Sequence, residues 1–300
     1  MSDRILIGVG VALATTLAGG VVYAAKSLSR PGAAVTAAPT PAPAAATEGP
    51  AYPKAASSSE APPTGAAIDP EATRALVRMG SYLRTLKDIN LRARVTREEV
   101  MLDGQKTQRV SDVEVTARRP NRLRVTVRDD RQPRNFYYDG KTFTLFAPSN
   151  GFYAQADAPA TIGELSDRLE EKFKIQLPLV DLFRWGTDDA NLAALTSAIV
   201  LTPNKVDGVT VDHYAFRQDG ADWQLWVQEG EHPLPRKLVI TTTSDEARPQ
   251  YTAEWTWNLA PSINDREFTF SPPKGAKKIT FKQVGTARTA AKNAQKARAR

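Results

Sequence analysis

Between Leu91 and Trp257 the chain is built from short runs in which apolar and polar side chains alternate, the period of two that marks half-buried strands. Leu123, Val125 and Val127 alternate with Arg122, Arg124 and Arg128 in the cleanest of these runs. Leu91, Ala93 and Val95 alternate with Arg92, Arg94 and Thr96, and Val113, Val115 and Ala117 with Asp112, Glu114 and Thr116. Val110 falls out of phase with that set, which predicts a bulge near Ser111. Shorter strands are predicted over 136–138, 142–146 and 152–155. Four Asp-Gly pairs (Asp103-Gly104, Asp139-Gly140, Asp207-Gly208 and Asp219-Gly220) lie between such runs. Asp-Gly readily supplies the two positive-φ residues of a tight type I′ hairpin turn, so the pattern predicts a long antiparallel meander.

The period changes to that of a helix in two places. Asp69 caps, Pro70 and Glu71 suit a first turn, and Ala72, Leu76, Met79, Leu83 and Leu86 form one apolar stripe opposite Arg74, Arg78 and Arg84. In mid-chain Ile162, Leu165, Leu169 and Phe173 share a helical face. A more apolar piece follows over 177–185, and 191–199 reads as a third short helix. The second meander resumes at about Val200: Val209, Val211, His213 and Ala215 alternate with Asp212, Tyr214 and Phe216. Trp223, Leu225 and Val227 come next, then a run over 237–242, then Tyr251, Ala253, Trp255 and Trp257. The expectation is a mainly β chain with α (α+β), about eleven antiparallel strands split six and five by a helical insert.

The ends lack a core pattern. Arg4 precedes an apolar run from Ile5 to Val22, and Val22-Tyr23-Ala24 has the small residues of a cleavage site, so 1–25 is read as a signal peptide or an uncleaved inner-membrane anchor. Both readings place the body outside the cytoplasm, in the periplasm. Residues 26–67 are rich in Ala, Pro, Ser and Thr and read as a disordered linker that reaches roughly 110 Å when extended. The folded body is expected over 68–282 and a basic tail over 283–300.

Charge changes the picture once it is located. The net +7 comes from 40 basic and 33 acidic residues, but nine of the basic ones, from Lys274 to Arg300, lie in the last 27 residues, which hold no acid. The rest is slightly acidic, so the basicity belongs to a tail and not to a nucleic-acid-binding surface. An anionic membrane surface is the one partner that tail suggests, against a plainly solvated segment. There are no cysteines, so no disulfide, thiol nucleophile or thiolate site exists.

Chemistry is sparse. His213 lies in a strand and His232 in the Glu231-His232-Pro233 turn, too isolated for a metal or nucleophile site. Glu98-Glu99, Asp129-Asp130, Glu170-Glu171 and Asp188-Asp189 read as solvated pairs. No catalytic constellation, metal site or cofactor motif is found, and no enzyme is expected.

The order helix, meander, helical insert, meander, with the closing segment Phe268-Thr269-Phe270-Ser271-Pro272-Pro273-Lys274-Gly275-Ala276, resembles the bacterial lipoprotein-carrier superfamily of LolA, LolB and LppX-like proteins. More closely it resembles an uncharacterised periplasmic family grouped with them. The resemblance covers about 68–282. It implies an unclosed half-barrel whose concave apolar side is covered by helices, and a lipid, acyl chain or acylated protein as partner. Leu123, Val125, Val127, Tyr251, Trp255 and Trp257 are the candidate walls of that hollow, and Leu165, Leu169 and Phe173 its candidate lid. The alternative function is an envelope interaction or sensing module that docks another protein and holds no lipid. Ordinary core packing of all nine side chains is the competing structural reading.

Overall fold

The structure is a computed structural model that describes residues 67–129, 131–187 and 192–282. The predicted signal or anchor, nearly all of the linker, the basic tail, Asp130 and Asp188-Asp189 lie outside the described residues. The chain separates into a large unit that holds every described residue and a second, Leu13–Gly65, that lies outside them.

Six strands follow the first helix, α1 (Pro70–Thr85): β1 (Asp88–Val100), β2 (Lys106–Arg118), β3 (Arg122–Arg128), β4 (Arg134–Tyr138), β5 (Thr142–Ala147) and β6 (Phe152–Asp157). The insert carries α2 (Ile162–Phe173) and the single turn α3 (Asp181–Arg184). Five more strands follow: β7 (Leu195–Val206), β8 (Val209–Gln218), β9 (Ala221–Gln228), β10 (Pro235–Thr242) and β11 (Gln250–Asn258). A short β12 (Lys277–Ile279) ends the described chain. All lie in one unclosed sheet of order β12-β6-β5-β4-β3-β2-β1-β11-β10-β9-β8-β7. The two meanders meet where β1 pairs antiparallel with β11. This is the expected half-barrel, with eleven antiparallel strands and one short parallel strand added at the β6 edge.

Both edges are partly covered. Ala198 of β7 donates to the Ala67 carbonyl at 3.1 Å, and the Asp69 N–H donates back to the Ala198 carbonyl at 2.8 Å. At the far edge β12 pairs with β6. Free strand edges invite pairing with other chains, and these two contacts cover part of that template.

Local chemistry explains the elements. Asp69 accepts from the Glu71 N–H at 2.7 Å and caps α1 as its sequence predicts. Thr161 and Glu164 form a reciprocal capping box on α2, and Lys174 ends it in the left-handed region. Arg78 and Arg74 hold the Glu71 carboxyl below its usual range through ion pairs at 2.8 and 2.9 Å.

Three expectations need correction. All four Asp-Gly pairs do connect antiparallel strands, but only Asp207-Gly208 has both residues at positive φ, 50° and 78°. At the other three the glycine alone is left-handed, and Asp103 and Asp139 instead accept from the N–H two residues on, an Asx arrangement that stabilises a looser turn. Next, β1 and β2 run in unbroken register, Val95 opposite Ser111 and Thr96 opposite Val110, so no bulge occurs there. Val110 is out of phase because it points outward and is exposed. Finally, the third helix is only a 3-10 turn over Leu192–Ala194. The strand β7 begins at Leu195, because its backbone pairs with β8 from Leu195 opposite Gln218 onward, and that ladder overrides local helix propensity.

Candidate functional site

Register puts most large apolar strand side chains on one face, which on β8 carries Tyr214 and Phe216 while Val209, Val211 and Ala215 lie on the other. One cross-strand row reads Trp257, Leu91, Val115, Val125, Phe136, Leu145 and Ala154 from β11 to β6. The next reads Trp255, Ala93, Val113, Val127 and Arg134. A third reads Phe216, Trp223, Ile240, Tyr251, Arg97 and Arg109. The helices lie on this face, and their buried residues join the strand residues in a single apolar cluster.

The predicted wall and lid residues either belong to that cluster or pack against it. Leu123, Val125, Val127 and Trp255 are buried in the sheet, and Leu165 and Leu169 are buried beneath α2. Tyr251, Trp257 and Phe173 pack against the cluster and are partly buried. Trp257 donates its indole N–H to the Pro235 carbonyl at 2.7 Å, whereas the Trp255 indole N–H is buried with no partner among the described residues. The six buried ones are close-packed with their neighbours: Val125, Leu165 and Leu169 are each 1 % exposed.

Sequence reasoning missed several parts of the cover. Leu182, Phe183 and Trp185 are buried around α3, and the Trp185 ring meets the Trp255 ring edge-on at 6.2 Å. Gly80 of α1 lies against the backbone of Gly186, where a β-carbon would come within 2.5 Å of the Gly186 nitrogen. That close approach seats the end of α3 on α1, and Arg84 adds a hydrogen bond to the Gly186 carbonyl at 2.6 Å. Arg184 pairs with Asp167 and ties α3 to α2. Arg119 reaches between the helices, with its guanidinium over the Phe183 ring at 5.3 Å. Burial lowers the Arg119 pKa, and nearby Arg84 reinforces that.

The closing segment wraps the sheet. Phe268 is buried, and Phe270 sits against the rings of Tyr137, Phe146 and Tyr153 at 5.1–5.3 Å, on the face opposite the helices. The chain then runs along β6 as β12 and turns under, where Phe281 stacks on Phe143 at 6.0 Å and meets Phe173 of α2 at 4.9 Å. Phe281 therefore closes the side of the apolar layer between α2 and the β5–β6 edge.

One end of the covered face is charged. Arg97, Arg109, Asp129 and Arg134 continue the inward phase of β1 to β4 past their last apolar residues, a signal that extending the period of two would have revealed. Arg109 pairs with Glu99 at 3.0 Å and with Asp129 at 3.2 Å. Burial alone would raise the Asp129 pKa, but the Arg131 and Gln132 N–H groups and Arg109 hold it below the usual range. Burial lowers the Arg134 pKa; Asp129 opposes this, while Arg109 and Arg97 reinforce it. The Tyr251 hydroxyl is held above its usual range by burial and by Asp181, with Arg97 acting the other way.

The opposite face holds a polar cleft of about 230 Å³ lined by Asn90, Arg92, Glu114, Thr116, Arg124, Thr126 and Glu267. Its charges are paired, Arg92 with Glu114 at 3.3 Å and Arg124 with Glu267 at 4.0 Å, so it does not suit a hydrocarbon. Among the described residues no three His, Asp or Glu side chains gather as a metal set. No described helix is long and apolar enough to cross a membrane.

Among solved structures, the chain is similar to the lipoprotein LppX of Mycobacterium tuberculosis, at 11% identity and a TM-score of 0.42, over 65% of this chain and 100% of that one. It is similar to LprF of Mycobacterium bovis, at 13% identity and 0.43, over 66% and 97%. It is also similar to a LolA superfamily protein of Nitrosomonas europaea, at 12% identity and 0.29, over 66% and 97%. These are distant likenesses, too weak to bear on what this chain binds. A search of the curated proteins finds no match. A family model does match, over residues 72–282, which is the helix, both meanders, the insert and the closing strap. The chain belongs to the family described as predicted periplasmic protein DUF2092.

Proposed function

We propose that this protein binds the acyl chain of a lipid or of an acylated protein between the inner face of its half-barrel and the helices over it, without catalysis, in the periplasm. The observation that carries the reading is the construction of that face. An open sheet presents largely apolar rows, and among the described residues α1, the two helical pieces of the insert and the strap at Phe281 cover them. The cover is attached by few directional bonds: the Ile162 N–H to the Pro120 carbonyl at 3.0 Å and Arg168 to the Asp157 carbonyl at 3.3 Å hold α2 to the strands. Because the described residues of this layer are buried against one another, the reading has a hydrocarbon enter as α2 and α3 move outward. Burying a 16-carbon chain is worth on the order of 10 kcal/mol, enough to offset the loss of several helix–sheet contacts.

A second reading is favoured by that same filling. A face already packed by its own residues suits a module that docks or senses another envelope protein and holds no lipid. Native mass spectrometry of the full chain, purified from its own envelope without detergent, separates the two. The acyl reading expects a co-purifying acyl-bearing species, whose removal alters the near-ultraviolet circular dichroism of the Trp185–Trp255 pair. A lipid-free chain carrying a stoichiometric protein partner would overturn it in favour of docking.

A further inference from the structure

The inner face changes character along the strands. Two of its cross-strand rows begin with aromatic and aliphatic residues and end in arginine: Phe216, Trp223, Ile240 and Tyr251 lead to Arg97 and Arg109, and Trp255, Ala93, Val113 and Val127 lead to Arg134. Inward-facing arginines beside an apolar core are costly unless acceptors meet their fixed forks of donors. Arg109 has such acceptors in Glu99 and Asp129. Arg97 and Arg134 do not: neither guanidinium makes a hydrogen bond or ion pair with a described residue. Arg97 lies over the Tyr251 ring at 5.8 Å, and the Arg134 Nε is buried without a partner. The two guanidiniums are close enough to Arg109 and Asp129 to share one electrostatic environment.

This pattern has the polarity of an amphiphile. A chain laid along the apolar rows ends at the arginine rim, where its head meets two unmatched guanidiniums. Guanidinium pairs phosphate oxygens through two parallel N–H bonds, which an uncharged head cannot reproduce. We propose that Arg97 and Arg134 form the head-group site of the half-barrel and select an acyl amphiphile with an anionic phosphate head. This rests on the acyl-chain reading above and adds a charge requirement to it. The shared chemistry is a phosphate monoester, whether carried on a lipid or free in solution.

Calorimetric titration of the full chain with a matched pair tests this: 1-dodecanoylglycerol 3-phosphate and 1-dodecanoylglycerol, both below their micelle concentrations, with glycerol 3-phosphate as the chainless head. The expected result is at least a tenfold preference for the phosphorylated amphiphile, absent in R97Q/R134Q and reduced but still measurable in R97K/R134K, which keeps the charges, loses the paired donors and reports on folding. Arg92→Gln, on the other face, should leave the preference intact. Equal binding of the two acyl compounds would overturn the head-group site while leaving the acyl-chain reading standing. Glycerol 3-phosphate binding as tightly as the full amphiphile, or no binding of any of the three, would overturn both.

Discussion

His213 shows how much one position is governed by its neighbours. It sits on β8 with its ring stacked on Trp226 at 4.0 Å and its Nε2 within 3.0 Å of the Gln224 amide oxygen. Burial lowers its pKa from 6.5, and the Gln224 contact opposes that shift only in part. A histidine whose folded pKa is depressed favours the neutral form. Its contribution is therefore fully present above the unfolded value and is lost as pH falls through about 6.5 toward the folded pKa. Urea unfolding between pH 8 and pH 5 should show stability declining across that window, and His213→Gln should flatten the decline. An unchanged slope in the variant would assign it to other groups. The strand position of His213 was legible in the sequence. Its stacking partner was not, because Trp226 lies on the neighbouring strand and meets it only through the pairing of β8 with β9.

At the scale of elements, two glycines in helices behave oppositely. Gly80 of α1 meets Gly186 so closely that an added methyl group has no space, and its neighbour there is backbone, which cannot rotate away. Gly80→Ala should push α3 off α1 and lower stability by about 1–3 kcal/mol. Gly163 in the first turn of α2 has nothing within 4 Å of its would-be β-carbon. Gly163→Ala should raise stability by about 0.5–1 kcal/mol through helix propensity and reduced freedom of the unfolded chain. Thermal unfolding followed by circular dichroism reads both, and a neutral Gly80→Ala would show that α3 is not seated by this contact. The helices α1 and α2 were legible from their caps and stripes, since Asp69, Thr161 and Glu164 act locally. The turn at 192–194 and the early start of β7 were not, because pairing with β8, distant along the chain, decided the outcome.

At the scale of the molecule, the closing strap binds the sheet from both sides: Phe270 on the outer face, β12 on the β6 edge and Phe281 beneath α2. Ending the chain after Ala276 removes β12 and Phe281 together. Light scattering should then detect self-association through the freed β6 edge, whereas ending it after Lys282 should leave the protein monodisperse and equally stable. Association of the chain that ends after Lys282 would place part of the fold beyond that residue. By itself the sequence determined the strand phases, the two long helices, the hairpin positions and the location of its charge, because each depends on spacing within one short segment. Only the tertiary structure decided that β1 joins the two meanders, that Phe281 returns beneath the helices, and that Arg97 and Arg134 share the end of the apolar face. Those facts depend on register between strands far apart in the chain, where shifting the pairing by one residue would turn every one of these side chains to the other face.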